Sequence, residues 1–326
     1  MEFLLYFLIA VVSTIVVYRG SGMLEKYSEE ISHYYRLPPI IHGSIVVAVG
    51  SSFPELSSTV ISTWIHGEFE LGVSAIVGSA IFNILAIPAL SVLFAKEPLR
   101  ADKELVFKDA QFYLISVSVT LITFSFATIY YPDPSLNSGG SYTRGLVLVP
   151  LGTYLVYLFL QYLEVREYKN PFPEKKGNPW RMWAMLILSL VLIVGGVEGL
   201  VQFCLYLGEL LDTRSFIWGL SIMAIVTSLP DMVISIRLAR AGQSVVSLSN
   251  VLGSNIFDLL VALPAGILVA GSALIDFEIA VPMMAALTAA TLLLFVFMRY
   301  ELDINRREAW VLLVFYVGFL AWAFTL

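Results

Sequence analysis

Apolar runs of about 20 residues, the length an α-helix needs to cross a bilayer, recur from residue 3 to residue 326. No single soluble core could absorb that many. Hydrophobic residues make up 58% of the 326 and charged residues only 13%, against about 25% charge in an ordinary soluble domain. The chain therefore reads as an all-α integral membrane protein built almost entirely of spans. A β-barrel is excluded, because its strands would be about ten residues long with strict alternation. Loop signals and charges place ten transmembrane helices near 3–22, 38–64, 71–94, 111–131, 143–163, 181–206, 214–238, 246–271, 276–298 and 309–326. Several exceed 25 residues and contain Gly or Pro, which predicts tilted or broken helices. The apolar start has no basic n-region and no small-residue cleavage site, so it is read as the first span rather than a signal peptide.

The basic residues sort by loop. Seventeen of the 19 Lys and Arg follow odd-numbered spans, among them Arg19, Lys26, Arg36, Lys96, Arg166, Lys169, Lys175, Lys176 and Arg237; only Arg144 and Arg214 fall on the other side. The positive-inside rule then puts the odd loops in the cytoplasm and both termini outside a cell membrane. A net charge of -6 argues against a nucleic-acid partner, and nothing implies an obligate protein partner beyond membrane lipid. Cys204 is the single cysteine, so an internal disulfide or cysteine-rich metal site is excluded and a buried small hydrophobe is expected. His33, His42 and His66 lie toward helix ends and loops and are read as ordinary interfacial residues.

Two motifs repeat at nearly one offset. GSSFPEL at 50–56 returns as VTSLPDM at 226–232, and GSAIFNIL at 78–85 returns as GSNIFDLL at 253–260. Each copy lies five spans from its mate. Five is odd, so the second half enters the membrane upside down: residues 1–163 form one five-helix repeat, 181–326 an inverted second, and 164–180 a cytoplasmic linker. Broken helices in paired inverted halves, with a site near the midplane, are the architecture of secondary transporters.

The chemistry at that depth is carboxylate and hydroxyl. Glu55 stands about 17 residues into span 2 and Asp231 about 17 into span 7, entered from the opposite side. An unpaired charge there costs at least about 2.5 kcal/mol, and no Lys, Arg or His shares the depth. Ser51 and Ser52 precede Glu55 by four and three residues, and Thr227 and Ser228 precede Asp231 identically, so each pair shares a helix face with its acid. Ser79 with Asn83, and Ser254 with Asp258, add oxygens from the neighbouring helices. Pro54 and Pro230 lack an N–H and predict breaks that release carbonyls near Gly50 and Val226. Hard oxygens without sulfur or clustered imidazole select hard cations such as Ca²⁺ over Zn²⁺ or Cu⁺, while freed carbonyls at helix breaks suit Na⁺. No nucleophile with its base is visible, so an enzyme is not expected, and no cofactor is implied.

These motifs resemble the calcium/cation antiporter superfamily, specifically the minimal prokaryotic form of the sodium/calcium exchanger family, over the whole chain. The resemblance implies that Glu55 and Asp231 are central ligands. It adds Ala48, Ser51, Ser52, Ala224, Thr227 and Ser228 as hydroxyl and backbone ligands, with Ser79, Asn83, Ser254 and Asp258 from spans 3 and 8. It further implies Na⁺/Ca²⁺ exchange by alternating access, with spans 1 and 6 sliding across the other eight. Three departures stand out: Ser51 where threonine is usual, Val226 where glycine is usual, and Asp231 where prokaryotic members carry glutamate. Asp231 and the run GSNIFDLLVALP look like the potassium-dependent exchangers, which leaves K⁺ coupling open. A proton/calcium antiporter is the nearest alternative, although hydroxyls at 51 and 52 suit Na⁺; a cation channel would need a carbonyl filter that the sequence lacks. Glu198, in LIVGGVEGLV of span 6, is read as a hydrated residue near the outer mouth, with buried pairing or direct ligation as alternatives. The glycines around it are expected to let span 6 approach the core closely.

Overall fold

A computed structural model describes residues 2–35, 48–95, 97–103, 105–165, 178–300 and 302–325. Arg36, His42, Lys96, Arg166, Lys169, Lys175, Lys176, the start of span 2 and residues 166–177 of the linker lie outside these residues. Every expected span has a helical counterpart. Span 1 is Glu2–Tyr34, span 3 Phe69–Ala95, span 4 Leu105–Tyr130, span 8 Ser244–Ala270, span 5 Arg144–Val165, span 6 Pro179–Leu211, span 9 Phe277–Tyr300 and span 10 Arg306–Ala323. Span 2 is Ala48–Ser51 followed by Phe53–Trp64, and span 7 is Ser215–Thr227 followed by Leu229–Arg240. Seven of these helices are individually long and apolar enough to cross a membrane, and the bent span 7 makes eight. Span 10 misses that standard because Arg306, Arg307 and Glu308 occupy its first turn.

Spans 1 and 6 run well past their expected ends. Each is 33 residues long, and span 1 continues through Glu25, Lys26, Glu29 and Glu30, where polarity ends the apolar run without ending the helix. Asn178 caps span 6 by accepting a hydrogen bond from the Trp180 N–H, with Pro179 at the first helical position.

The helices are joined by four short strands that no sequence pattern announced. β1 (Leu99–Arg100) pairs antiparallel with β4 (Asp303–Ile304), and β2 (Gly139–Thr143) with β3 (Ser272–Asp276). β1 follows span 3 and β4 follows span 9, with six passes between them; four passes separate β2 from β3. Both pairs demand an even number of crossings, as ten alternating spans supply. The β1/β4 and β2/β3 ribbons also exchange under the inverted repeat, because the loop after span 3 corresponds to that after span 8, and the loop after span 4 to that after span 9.

The two exceptions to the charge bias have structural work at the β2/β3 end. Arg144 donates to the carbonyls of Leu268 (2.9 Å) and Val269 (3.3 Å) in the last turn of span 8, which satisfies orphan carbonyls there. Arg214 pairs with Asp276 at 3.4 Å.

Spans 3 and 8 form the centre, with 89% and 78% of their most apolar stretches buried inside the protein, against 22% for span 1. Spans 1 and 6 instead pack on each other. A Cβ on Gly20 would meet Ile193 at 2.8 Å, one on Gly196 would meet Val17 at 2.8 Å, and one on Gly199 would strike Ser13 Oγ. Gly195 meets nothing within 4 Å. The glycines of span 6 therefore serve the approach to span 1 and not an approach to the core, since the face a helical glycine presents is set by tertiary packing. Cys204 is buried, as expected, and lies in the cluster that spans 1 and 6 share.

Gly78 holds spans 3 and 7 in contact, because its Cβ would strike the Leu220 carbonyl and approach Ala224 Cβ at 2.8 Å; its repeat mate Gly253 meets nothing within 4 Å. Gly78→Ala is expected to destabilise the protein by about 1–3 kcal/mol through overpacking, and Gly253→Ala to be tolerated. Thermal unfolding in detergent compares the two, and equal melting temperatures would contradict this packing.

A candidate cation site at two helix breaks

Both signature helices break at equivalent serines. Ser52 has φ -92° and ψ 9°, and Ser228 has φ -83° and ψ -1°, two copies of the sparsely populated bridge conformation in which functional residues often sit. Pro54 and Pro230 follow two residues later in the first turn of the next helix, where a missing N–H costs nothing. The span 7 pieces meet at a 45° bend. The expected release of carbonyls holds in part: the Ser228 N–H still donates to Ala224 at 3.2 Å and points toward Val226. Spans 3 and 8 carry matching irregularities, with π turns at Phe82–Ala86 and Asp258–Ala262. Such insertions re-aim side chains and favour functional sites. They lie at Asn83 and Asp258.

The carboxylates are enclosed. Glu55 and Asp231 are each 1% exposed and Asp258 is fully buried, and Glu55 and Asp258 both lie within electrostatic reach of Asp231. Ser79 of span 3 and Ser228 of span 7 each donate to Glu55 Oε1 at 3.3 Å and stand 2.6 Å from one another. Ser51 Oγ lies 3.2 Å from Ser254 Oγ. Those two serines flank Asp231 with Asn250, outside hydrogen-bonding geometry, and Ser52 flanks Asp258 in the same way. Under the repeat, Glu55 with Ser79 and Ser228 matches Asp231 with Ser254 and its span 2 hydroxyls. Thr227 spends its proton on the carbonyls of Met223 (3.1 Å) and Ala224 (3.3 Å), which leaves its oxygen lone pairs available. Ala48 opens the first piece of span 2.

Seven buried oxygens here make no hydrogen bond: Ser52 Oγ, Glu55 Oε2, Asn83 Oδ1, both oxygens of Asp231 and both of Asp258. Buried polar atoms are normally satisfied, so such a concentration of orphans marks a candidate binding site. Every orphan is an acceptor or can act as one, an arrangement that could hold a cation. Among the described residues no three His, Cys, Asp or Glu side chains converge closely enough to hold a metal alone. The unpartnered oxygens are carboxylate, hydroxyl and amide, a mixed hard set of the kind that suits Ca²⁺ or Na⁺ and not a softer metal.

Asn255 is a participant that sequence reasoning missed. Its Oδ1 accepts from Asn83 Nδ2 at 2.9 Å while its own Nδ2 donates to the Ala80 carbonyl at 3.0 Å. The Asn83 amide is thereby oriented with its oxygen unspent. The available signal was a mismatch within the repeat, where GSNIFD carries Asn255 and GSAIFN carries Ala80.

Glu198 is half-buried and paired with His66. Both its oxygens lie 3.1 Å from His66 Nε2, and Gln202 Nε2 donates to it at 2.6 Å. A partly exposed pair of this kind is worth about 0–1 kcal/mol. Glu198→Gln is accordingly expected to lower stability by no more than about 1 kcal/mol and to leave Ca²⁺ binding intact. Loss of binding in a titration of the purified variant would make Glu198 a direct ligand.

Known proteins share this sequence pattern and fold. The chain matches the family described as sodium/calcium exchanger protein over residues 5–163 and 181–325. It is 28% identical to an uncharacterized membrane protein of Methanocaldococcus jannaschii, covering 96% of this chain and 95% of that one. It is 25% identical to the sodium/calcium exchanger MaX1 of Methanosarcina acetivorans, covering 96% and 97%. Among solved structures it resembles the sodium-calcium exchanger NCX_Mj soaked with Na⁺ and Sr²⁺, with a TM-score of 0.64, 25% identity and coverage of 98% and 97%. The chain is a multi-pass membrane transporter with the ten-helix inverted-repeat fold, and it belongs to the sodium/calcium exchanger protein family.

Proposed function

We propose that this protein is a secondary antiporter that exchanges Na⁺ for Ca²⁺ by alternating access, with Ca²⁺ and Na⁺ competing for one midplane site. The observation that carries the reading is the set of seven buried, unpartnered oxygens between the two helix breaks. The ligands are the side chains of Glu55, Asp231, Asp258, Asn83, Ser51, Ser52, Thr227, Ser228, Ser79 and Ser254, with the carbonyls of Ala48 and Ala224. Residues 1–163 and 181–326 act as the two halves, joined by a cytoplasmic linker at 164–180, with both termini outside the cell membrane. Spans 1 and 6, packed glycine to side chain on each other, move as a pair against the rest.

Exchange requires that Ca²⁺ and Na⁺ exclude one another. Three ionised carboxylates leave one negative charge with one Ca²⁺ and none with three Na⁺. Simultaneous occupancy would leave two positive charges in a low-dielectric cavity, which is strongly disfavoured. Uptake of ⁴⁵Ca²⁺ into proteoliposomes under Na⁺, H⁺ and K⁺ gradients imposed in turn tests the assignment. A Na⁺ gradient alone is expected to drive accumulation. Uptake driven by a pH gradient alone would identify a proton/calcium antiporter, and a requirement for K⁺ a potassium-dependent exchanger.

A further inference from the structure

A cavity of about 340 Å³ opens between spans 1, 6 and 7. Its polar lining is Arg19, Lys26 and Arg237, all exposed, with one carboxylate, Glu25. None of the three cations makes an ion pair or side-chain hydrogen bond with a described residue. Lys26 stands 5.3 Å over the Tyr27 ring, and Arg237 has Glu25 within electrostatic reach without contact. Three other arginines are committed: Arg144 to Leu268 and Val269, Arg214 to Asp276, and Arg240 to the Phe94 carbonyl at 3.3 Å. Three cations around one cavity against a single lining carboxylate, Glu25, form an anion-binding arrangement with two positive charges in excess.

Depth identifies the anion's source. Span 1 is apolar from its first residues, so at 1.5 Å per residue Arg19 lies about 26 Å along it and Lys26 about 36 Å. They bracket the boundary of a hydrocarbon layer about 30 Å thick, where phosphates of the bilayer reside. Met185, Val233 and Ile234 give the same cavity an apolar wall, and long basic side chains at this level extend their charge toward the headgroups. By the sequence's loop pattern this side of the membrane receives most of the Lys and Arg, the pattern of a face turned to an anionic leaflet.

We propose that this cavity binds an anionic phospholipid, with its phosphate held by Arg19, Lys26 and Arg237 and one acyl chain laid along Met185, Val233 and Ile234. The occupant touches span 1, span 6 and the second piece of span 7 beside Pro230, one residue from Asp231. Membrane composition is thereby linked to the helix that carries a cation ligand. The binding claim itself does not depend on which ions are exchanged.

Native mass spectrometry of the purified full chain, titrated with dioctanoyl phosphatidylglycerol and dioctanoyl phosphatidylcholine, tests it. The wild type is expected to retain one phosphatidylglycerol with a preference of about tenfold or more, and the triple variant Arg19→Gln, Lys26→Gln, Arg237→Gln to lose that preference. Glu25→Gln, which keeps all three cations and removes the opposing charge, is expected to strengthen retention severalfold, and it serves should the triple variant fail to fold. Equal retention of the two lipids by the wild type, undiminished preference in the triple variant, or weaker retention in Glu25→Gln would overturn the proposal. Displacement of the lipid by millimolar inorganic phosphate would make the site one for a soluble anion and would overturn it equally.

Discussion

Glu55→Gln and Asp231→Asn are each expected to abolish Ca²⁺ transport and to weaken Ca²⁺ binding by at least about a hundredfold, equivalent to about 2.7 kcal/mol. Each replacement keeps the side-chain volume and removes one charge and one ligand oxygen from a site where both acids are 1% exposed. Two unit charges about 4 Å apart interact by about 4 kcal/mol at an effective dielectric of 20, so losing one carboxylate beside a divalent ion accounts for that drop with margin. Stability should move the other way. Glu55 and Asp231 repel one another across the site, and a neutral amide relieves that repulsion. The cation-free variants should therefore melt no lower than the wild type and lose the stabilisation that added Ca²⁺ gives it. Near wild-type exchange in either variant would remove that carboxylate from the site.

Voltage is the second large effect expected. Three Na⁺ exchanged for one Ca²⁺ moves one net positive charge per cycle, and one charge is worth about 2.3 kcal/mol per 100 mV. A clamped change of 100 mV should shift the steady-state Ca²⁺ ratio across a proteoliposome membrane about fiftyfold, as the tenfold-per-1.4-kcal/mol conversion requires. Asp258→Asn sharpens the test, because it reduces the site to two carboxylates, which two Na⁺ or one Ca²⁺ neutralise equally. That variant is expected to keep measurable exchange and to lose most of its voltage dependence. Flux in the wild type that ignores a potassium-diffusion potential, with K⁺ cotransport excluded, would rule out the 3:1 ratio.

The parts of this account legible in the sequence were those governed by local chemistry. An acid deep in a span with no Lys, Arg or His at its depth is hard to read as a structural ion pair, so Glu55 and Asp231 announced themselves, and the proline-marked motifs fixed the breaks at Ser52 and Ser228 to within two residues. The parity of ten spans followed from loop charge and is matched by the β1/β4 and β2/β3 pairings. What stayed hidden depended on contacts between distant segments. Nothing near residue 66 points to residue 198, so the His66–Glu198 pair was invisible. The role of Asn255 rests on Asn83, 172 residues away, and on the unspent amide oxygen that the contact leaves. The span 6 glycines were recognised as a close-approach surface but assigned to the wrong neighbour. The four strands are too short, at two to five residues, to carry a period that sequence could reveal.

Equilibrium binding of ⁴⁵Ca²⁺ to the purified protein over a series of Na⁺ concentrations tests the central claim most directly. One Ca²⁺ per chain is predicted, displaced completely by Na⁺ with a steep dependence approaching a Hill coefficient of about 3, and absent in Glu55→Gln. Ca²⁺ that stays bound at saturating Na⁺ would contradict a shared, mutually exclusive site.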